Sequence, residues 1–197
     1  MTGSGTVPGV VYGRAGGSLA GAGWAQKDAA RIGASGERLT AEVLDPLAKR
    51  PGGVTVLHDL DIPIPGFKAN IDHVVVAGST VTIIDSKVWR PGVYRTRDGV
   101  TKRGFRVAEF ADKKTLQAAC DGFRRHLVRH ELADVTVRAV LVAWSTHPVW
   151  PVLFAGYEPA GAVAAAGWRF RLSPARWVGS GTADSRIVTA LLPLVRK

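Results

Sequence analysis

Apolar positions along the chain change period several times, and each change marks an element. Leu39, Val43, Leu44 and Leu47 recur at helical spacing, which predicts a first helix starting near Gly33 to Ser35 and stopped by Pro51, Gly52 and Gly53. Residues 54–60, 71–77 and 81–88 are β-branched runs of strand length. Pro63, Pro65 and Gly66 stiffen the first connection, while only Gly78, Ser79 and Thr80 separate the last two runs, which predicts a hairpin. After a basic segment over residues 95–106, read as a short strand or loop, Leu116, Ala119, Phe123 and Leu127 predict an amphipathic helix within residues 111–130. Residues 135–144 read as a buried strand and residues 187–195 as a closing helix. Helix, three strands, helix, strand, helix is the order of an α/β fold, a mixed sheet flanked by helices on both sides. Residues 1–26, rich in Gly, Ala, Ser and Thr without periodicity, are expected to form a flexible arm ahead of one domain over residues 27–197.

Composition sets the partner class. The 197 residues are 46% hydrophobic, enough for a real core, and carry 26 Lys and Arg against 16 Asp and Glu, a formal charge of +10. That balance favours polyanions, DNA first and an anionic membrane surface second. No run approaches the roughly 18 apolar residues of a membrane span, and no export-signal pattern opens the chain. The single cysteine, Cys120, sits in a helical pattern and is expected to be a structural thiol, so a reducing cytoplasm is the expected compartment. Lys113, Lys114, Arg124 and Arg125 on the second helix, with Arg103 and Arg106 in the basic segment, are candidates for contacting phosphates. No helix-turn-helix, zinc finger or RNP-like pattern accompanies them, so backbone-directed, salt-sensitive binding is expected.

Candidate chemistry lies in the hairpin. With Gly78 and Ser79 as turn residues, Ala77 pairs with Thr80 and the same register sets Asp72 directly opposite Asp85. Opposed β-carbons on antiparallel strands lie about 4.5–5.5 Å apart, where two like charges are destabilising unless something mediates between them. A divalent cation is the natural mediator, and hard carboxylate oxygens suit Mg²⁺ or Mn²⁺. Alternation brings Lys87 to the face of Asp85 and turns Ser86 away. Lys87 could then orient an attacking water or offset charge in the transition state, while the ion activates the water. His73 should project to the opposite face and serve in packing or hydrogen bonding. His126 and His130, four apart on a helix, belong to a basic surface rather than to a metal clamp.

Four blocks in order, residues 33–37 (GASGE), 57–60 (LHDL), 70–76 (NIDHVVV) and 83–89 (IIDSKVW), resemble the nuclease-related domain, or NERD, family of the PD-(D/E)xK superfamily. The resemblance implies a restriction-endonuclease-like fold, metal ligands at Asp72 and Asp85, a catalytic lysine at Lys87 and a supporting metal-site acid at Glu37. Read from the chain alone, Glu37 is equally an exposed first-turn acid favoured by the helix dipole. Gln117 matches a glutamine the family carries on its second helix, and is otherwise an ordinary surface residue. Asp85 departs from the more usual Glu of the acid-x-Lys element. The activity implied is metal-dependent DNA hydrolysis, with a homodimer as one expected assembly. The alternative is a non-catalytic nucleic-acid-binding accessory protein that keeps the fold.

Overall fold

A computed structural model describes residues 9–16, 27–112 and 114–196. The first long element, α1, spans Lys27–Ala48 and so begins earlier than its apolar spacing indicates. Gly33 and Gly36 lower the intrinsic helix propensity there, and packing overrides that cost. Ala34, Glu37, Ala41, Leu44 and Ala48 form its buried stripe at helical spacing. Gly36 allows the helix to lie close on the sheet, since a β-carbon there would stand 2.8 Å from Val88 Cγ2.

The predicted strands appear as β2 (Thr55–Asp61), β3 (Asn70–Ala77), β4 (Thr80–Trp89) and β8 (Thr136–Ser145). Within the segment expected to be an arm, Val11–Tyr12 form a short strand, β1, parallel to β2, with Val11 beside Val56 and Tyr12 beside Leu57. The rest of residues 1–26, apart from 9–16, lies outside the described residues. A further strand, β10 (Val163–Ala166), completes a six-stranded mixed sheet in the order β1-β2-β3-β4-β8-β10. β10 and the two short helices after it, α3 (Gly167–Leu172) and α4 (Pro174–Val178), are too short and too alanine-rich to register as periodic runs.

Helices cover both faces. Leu44 and Leu47 of α1, with Phe170 and Val178 of α3 and α4, pack on Val56, Val75, Ile84 and Val142. On the other face lie α2 (Thr115–Arg129) and α5 (Ser185–Leu191), whose Leu116, Phe123, Leu127 and Ile187 cover Val74, Val76, Ile83 and Leu141. Full burial of each such side chain is worth about 1.5–3 kcal/mol. This is the mixed sheet flanked by helices on both faces expected from the order of elements, and it agrees with the restriction-endonuclease-like fold that the resemblance implies.

The basic segment becomes a second sheet of four strands. β5 (Gly92–Arg97), β6 (Val100–Arg103), β7 (Arg106–Val107) and β9 (Val152–Phe154) pair in the order β7-β6-β5-β9. Aromatic contacts fasten it to the main sheet: Trp89 at the end of β4 lies 4.8 Å from Tyr94, 5.5 Å from Phe110 and 5.5 Å from Tyr157, between ring centroids.

Candidate active site

The β3–β4 hairpin has the register its turn predicts, from Ala77 opposite Thr80 to His73 opposite Ile84. Gly78, at φ 55°, supplies the left-handed first position of the turn. The next pair in register is Asp72 and Asp85, and the backbone ladder stops short of it. The β2–β3 ladder likewise skips the level of Asp59 and Asp72, passing from His58–His73 to Leu60–Ile71. Asp72 therefore sits where pairing lapses on both sides, and its Oδ2 accepts the Ser86 backbone N–H at 2.6 Å.

Lys87 projects with Asp85, as alternation requires, and its Nζ lies 2.5 Å from Asp85 Oδ2. Ser86 turns to the other face, where its hydroxyl donates to Thr40 Oγ1 at 2.8 Å. Thr40 also accepts Trp144 Nε1–H at 2.8 Å and donates to the Gly36 carbonyl at 3.1 Å. This buried knot ties α1 to β4 and β8, one turn of helix from Glu37. Thr40→Val, which removes the shared hydroxyl at nearly constant volume, is expected to destabilise the fold by about 1–3 kcal/mol by leaving buried donors unpaired. Each kcal/mol corresponds to a loss of about 2–4 °C in thermal denaturation for a chain of this size. An unchanged melting temperature would dismiss that role.

Glu37 reaches the same site from α1. It is 8% exposed, and its Oε2 accepts the Gly16 backbone N–H at 2.8 Å, so the segment before the domain helps to orient it. Burial pushes its carboxyl pKa up, with Asp59 and Asp85 adding to the rise and the Gly16 N–H and Lys87 opposing it. Asp72 is held well above the ordinary value, by burial first and then by Asp85 and Glu37; Lys87 and the Ser86 N–H pull the other way. For Lys87, burial works against the charge, but Asp85, Asp72 and Glu37 outweigh it and hold the ammonium pKa above 10.5. These side chains thus form one electrostatic unit.

Asp59, opposite Asp72 in register, is an acid the strand pattern did not single out. It is buried, adopts φ 53°, and its carboxylate takes the Asn70 amide at 2.7 Å. Its register with Asp72 across β2 and β3 was the available signal, since Thr55 pairs with Val76 and His58 with His73.

Glu37, Asp72 and Lys87 line a cleft of about 770 Å³ together with Trp89, Tyr94 and Phe110, and Asp85 reaches it through its contact with Lys87. Arg103 and Arg106 line it too, together with Arg90, which precedes the basic segment. The basic positions of α2 do not. Arg124 is committed to Asp121 at 2.9 Å and to the Val137 carbonyl at 2.9 Å; Lys114 and Arg125 are exposed away from the cleft lining, and Lys113 lies outside the described residues. Gln117 is exposed, directs its amide to Asp121 at 3.2 Å and is not brought to the acids.

The histidines serve structure. His73 is buried on the far side of β3, its Nδ1 2.7 Å from His58 Nδ1, while His58 Nε2 meets Asp45 at 2.9 Å. His126 Nε2 engages the Ala190 carbonyl at 2.8 Å. Cys120 is buried and its thiol pKa is pushed up, chiefly by burial, which suits a packing role.

Among the described residues no group of three or more His, Cys, Asp or Glu side chains stands assembled around one point. The donors present are the buried Asp72 and the partly exposed Asp85, with the buried Glu37 close enough to shift the charge balance at Asp72. Such a set fits Mg²⁺, which takes one or two protein carboxylates and keeps waters, better than it fits an all-protein cage.

A mixed α/β sheet with an acid pair and a lysine at one hairpin end, overlaid by a helix carrying a third acid, places the chain among nuclease-related folds. The model of the NERD family, the nuclease-related domain, matches residues 32–143, more than half of the chain, and the chain belongs to that family. Comparison with curated proteins and with solved structures gave no match. Among the described residues no helix is long and apolar enough to cross a membrane.

Proposed function

We propose that the protein hydrolyses phosphodiester bonds in DNA with the help of Mg²⁺ or Mn²⁺ held by Asp72 and Asp85, with Glu37 in support. The observation that carries this reading is the lapse of strand pairing at Asp72, which leaves a buried carboxylate turned toward a second acid and a lysine inside a basic cleft. Buried like charges are costly without a counter-ion. A bound divalent ion supplies Lewis acidity and makes water a stronger nucleophile at neutral pH.

The chain's own groups do the remaining work. The Ser86 N–H fixes Asp72 Oδ2, and the Gly16 N–H fixes Glu37 Oε2, so both acids are oriented before substrate arrives. Lys87 Nζ keeps its proton, held by Asp85, and sets positive charge where the attacked phosphate gains negative charge. Water adds to phosphorus and releases one proton to bulk solvent, the bond to the leaving oxygen breaks, and that oxygen takes up a proton from solvent, so that Lys87 is left unchanged. Arg103 and Arg106 hold neighbouring phosphates. The single buried thiol suits a reducing cytoplasm.

One observation favours a second reading, a binding protein without catalysis: the short Asp85 side chain is already engaged by Lys87 at 2.5 Å. Purified protein incubated with supercoiled and single-stranded DNA in Mg²⁺, Mn²⁺ or EDTA separates the two. The nuclease nicks or degrades DNA only with the ion, and salt-sensitive binding without cleavage in every ion would establish the second reading instead.

A further inference from the structure

The hairpin between β6 and β7 is the most exposed functional-looking feature of the cleft. Its two turn residues are Gly104, at φ 58°, and Phe105, because Arg103 pairs directly with Arg106. Phe105 is 102% exposed, the most exposed of the large hydrophobic side chains among the described residues. An aromatic ring in full contact with water gains nothing for the fold.

The two arginines repeat, with opposite sign, the situation of Asp72 and Asp85. Directly opposed like charges on an antiparallel pair are destabilising, and both arginines line the cleft. Arg103 donates to the Pro91 carbonyl at 3.4 Å, and among the described residues neither arginine is in an ion pair with a carboxylate. An anion between them resolves the repulsion. Phe110 is 49% exposed, its ring edge-on to Trp89 at 5.5 Å, so a second aromatic surface is available in the cleft that the arginines share with Glu37 and Asp72.

We infer that the Arg103–Gly104–Phe105–Arg106 hairpin is a clamp for unpaired nucleotides, with the arginine pair gripping a phosphate and Phe105 and Phe110 stacking on bases, so that the substrate is single-stranded DNA or a frayed end. The inference rests on the nucleic-acid partner of the proposed function and specifies its form. A duplex hides its base faces within the stack and offers aromatic rings nothing to stack on, whereas single strands expose a face at every base, worth about 1–3 kcal/mol per stacked base.

The test is fluorescence anisotropy in EDTA, using labelled oligodeoxythymidylate and a labelled duplex of the same length. The wild-type protein is expected to bind the single strand more tightly. Phe105→Ala, at a position that makes no contribution to the core, is expected to weaken single-strand binding by about 5- to 150-fold and duplex binding by less than about 2-fold, a change too small for a lost stack. Phe105→Trp should retain the single-strand preference, and Phe110→Leu should lower it with the Trp89 packing kept. Arg103→Gln should weaken both ligands and reduce the salt dependence by about 0.7 in log–log slope on the single strand. Tighter duplex binding by the wild type, or a Phe105→Ala variant that binds the single strand unchanged or loses both ligands equally, would overturn the inference. Because these measurements need no cleavage, failure of the nuclease reading shows separately, as absent Mg²⁺-dependent degradation of an oligonucleotide that still binds through Phe105.

Discussion

Asp85→Ala is expected to lower Mg²⁺-dependent DNA cleavage by roughly 10³-fold, with an unaltered circular dichroism spectrum. Its side chain is 16% exposed, and its backbone register with Leu141 of β8 does not depend on the carboxylate, so the fold has little reason to respond. The loss should appear first in the metal titration, because removing one of the two proposed ligands would weaken ion binding. Lys87→Ala should behave differently. It removes a cation that competes for Asp85 and Asp72, so the ion should bind as well or better, while cleavage falls by about 10²–10³-fold through lost transition-state stabilisation. The two variants thus separate holding the ion from assisting the reaction. An Asp85→Ala protein that cleaves like the wild type throughout the titration would remove the acid pair from the chemistry.

Asp72→Asn is expected to abolish cleavage and yet stabilise the metal-free protein at neutral pH. The folded state holds the Asp72 proton more tightly than the unfolded chain, whose carboxyl titrates near 3.8. In the window above 3.8 the native state therefore binds more protons, and stability declines as pH rises toward the folded-state pKa. Asparagine keeps an acceptor for the Ser86 N–H and carries no charge, so it escapes that decline. A gain of about 0.5–2 kcal/mol, typical of relieving a strained functional site, corresponds to about 2–4 °C per kcal/mol in thermal denaturation. The gain should disappear well below pH 3.8, where Asp72 is protonated in both states, and shrink in excess Mg²⁺, which stabilises only the wild type. A destabilised Asp72→Asn variant at neutral pH would mean that the carboxylate serves the fold rather than the site.

Local periodicity carried the hairpin and the two long helices. Alternation over residues 71–77 and 81–88, closed by Gly78, leaves one register that buries both apolar sets, so the level of Asp72 with Asp85 and the facing of Lys87 were legible in the chain. The stop of α1 and the closing helix α5 were legible too, whereas the start of α1 and the short elements β9, β10, α3 and α4 were not. Gly33 and Gly36 mask the start of a helix that packing sustains, and β10, α3 and α4 contain too few residues for a period to declare itself.

The basic residues show the same division. Lys, Arg and their count appear in the sequence, but not which of them share a surface with the acids. That choice fell to Arg103 and Arg106, because the second sheet folds against Trp89 at the end of β4, while α2 lies across the sheet face with its own charges turned elsewhere. By itself the sequence determined a ribbon with opposed acids and a neighbouring lysine, since side-chain direction along a strand is a two-residue property. Tertiary structure alone decided that Glu37, held by Gly16, and the arginines of the β6–β7 hairpin share a cleft with that ribbon, because contacts between distant segments depend on how helix and sheet surfaces fit together and leave no period in the chain.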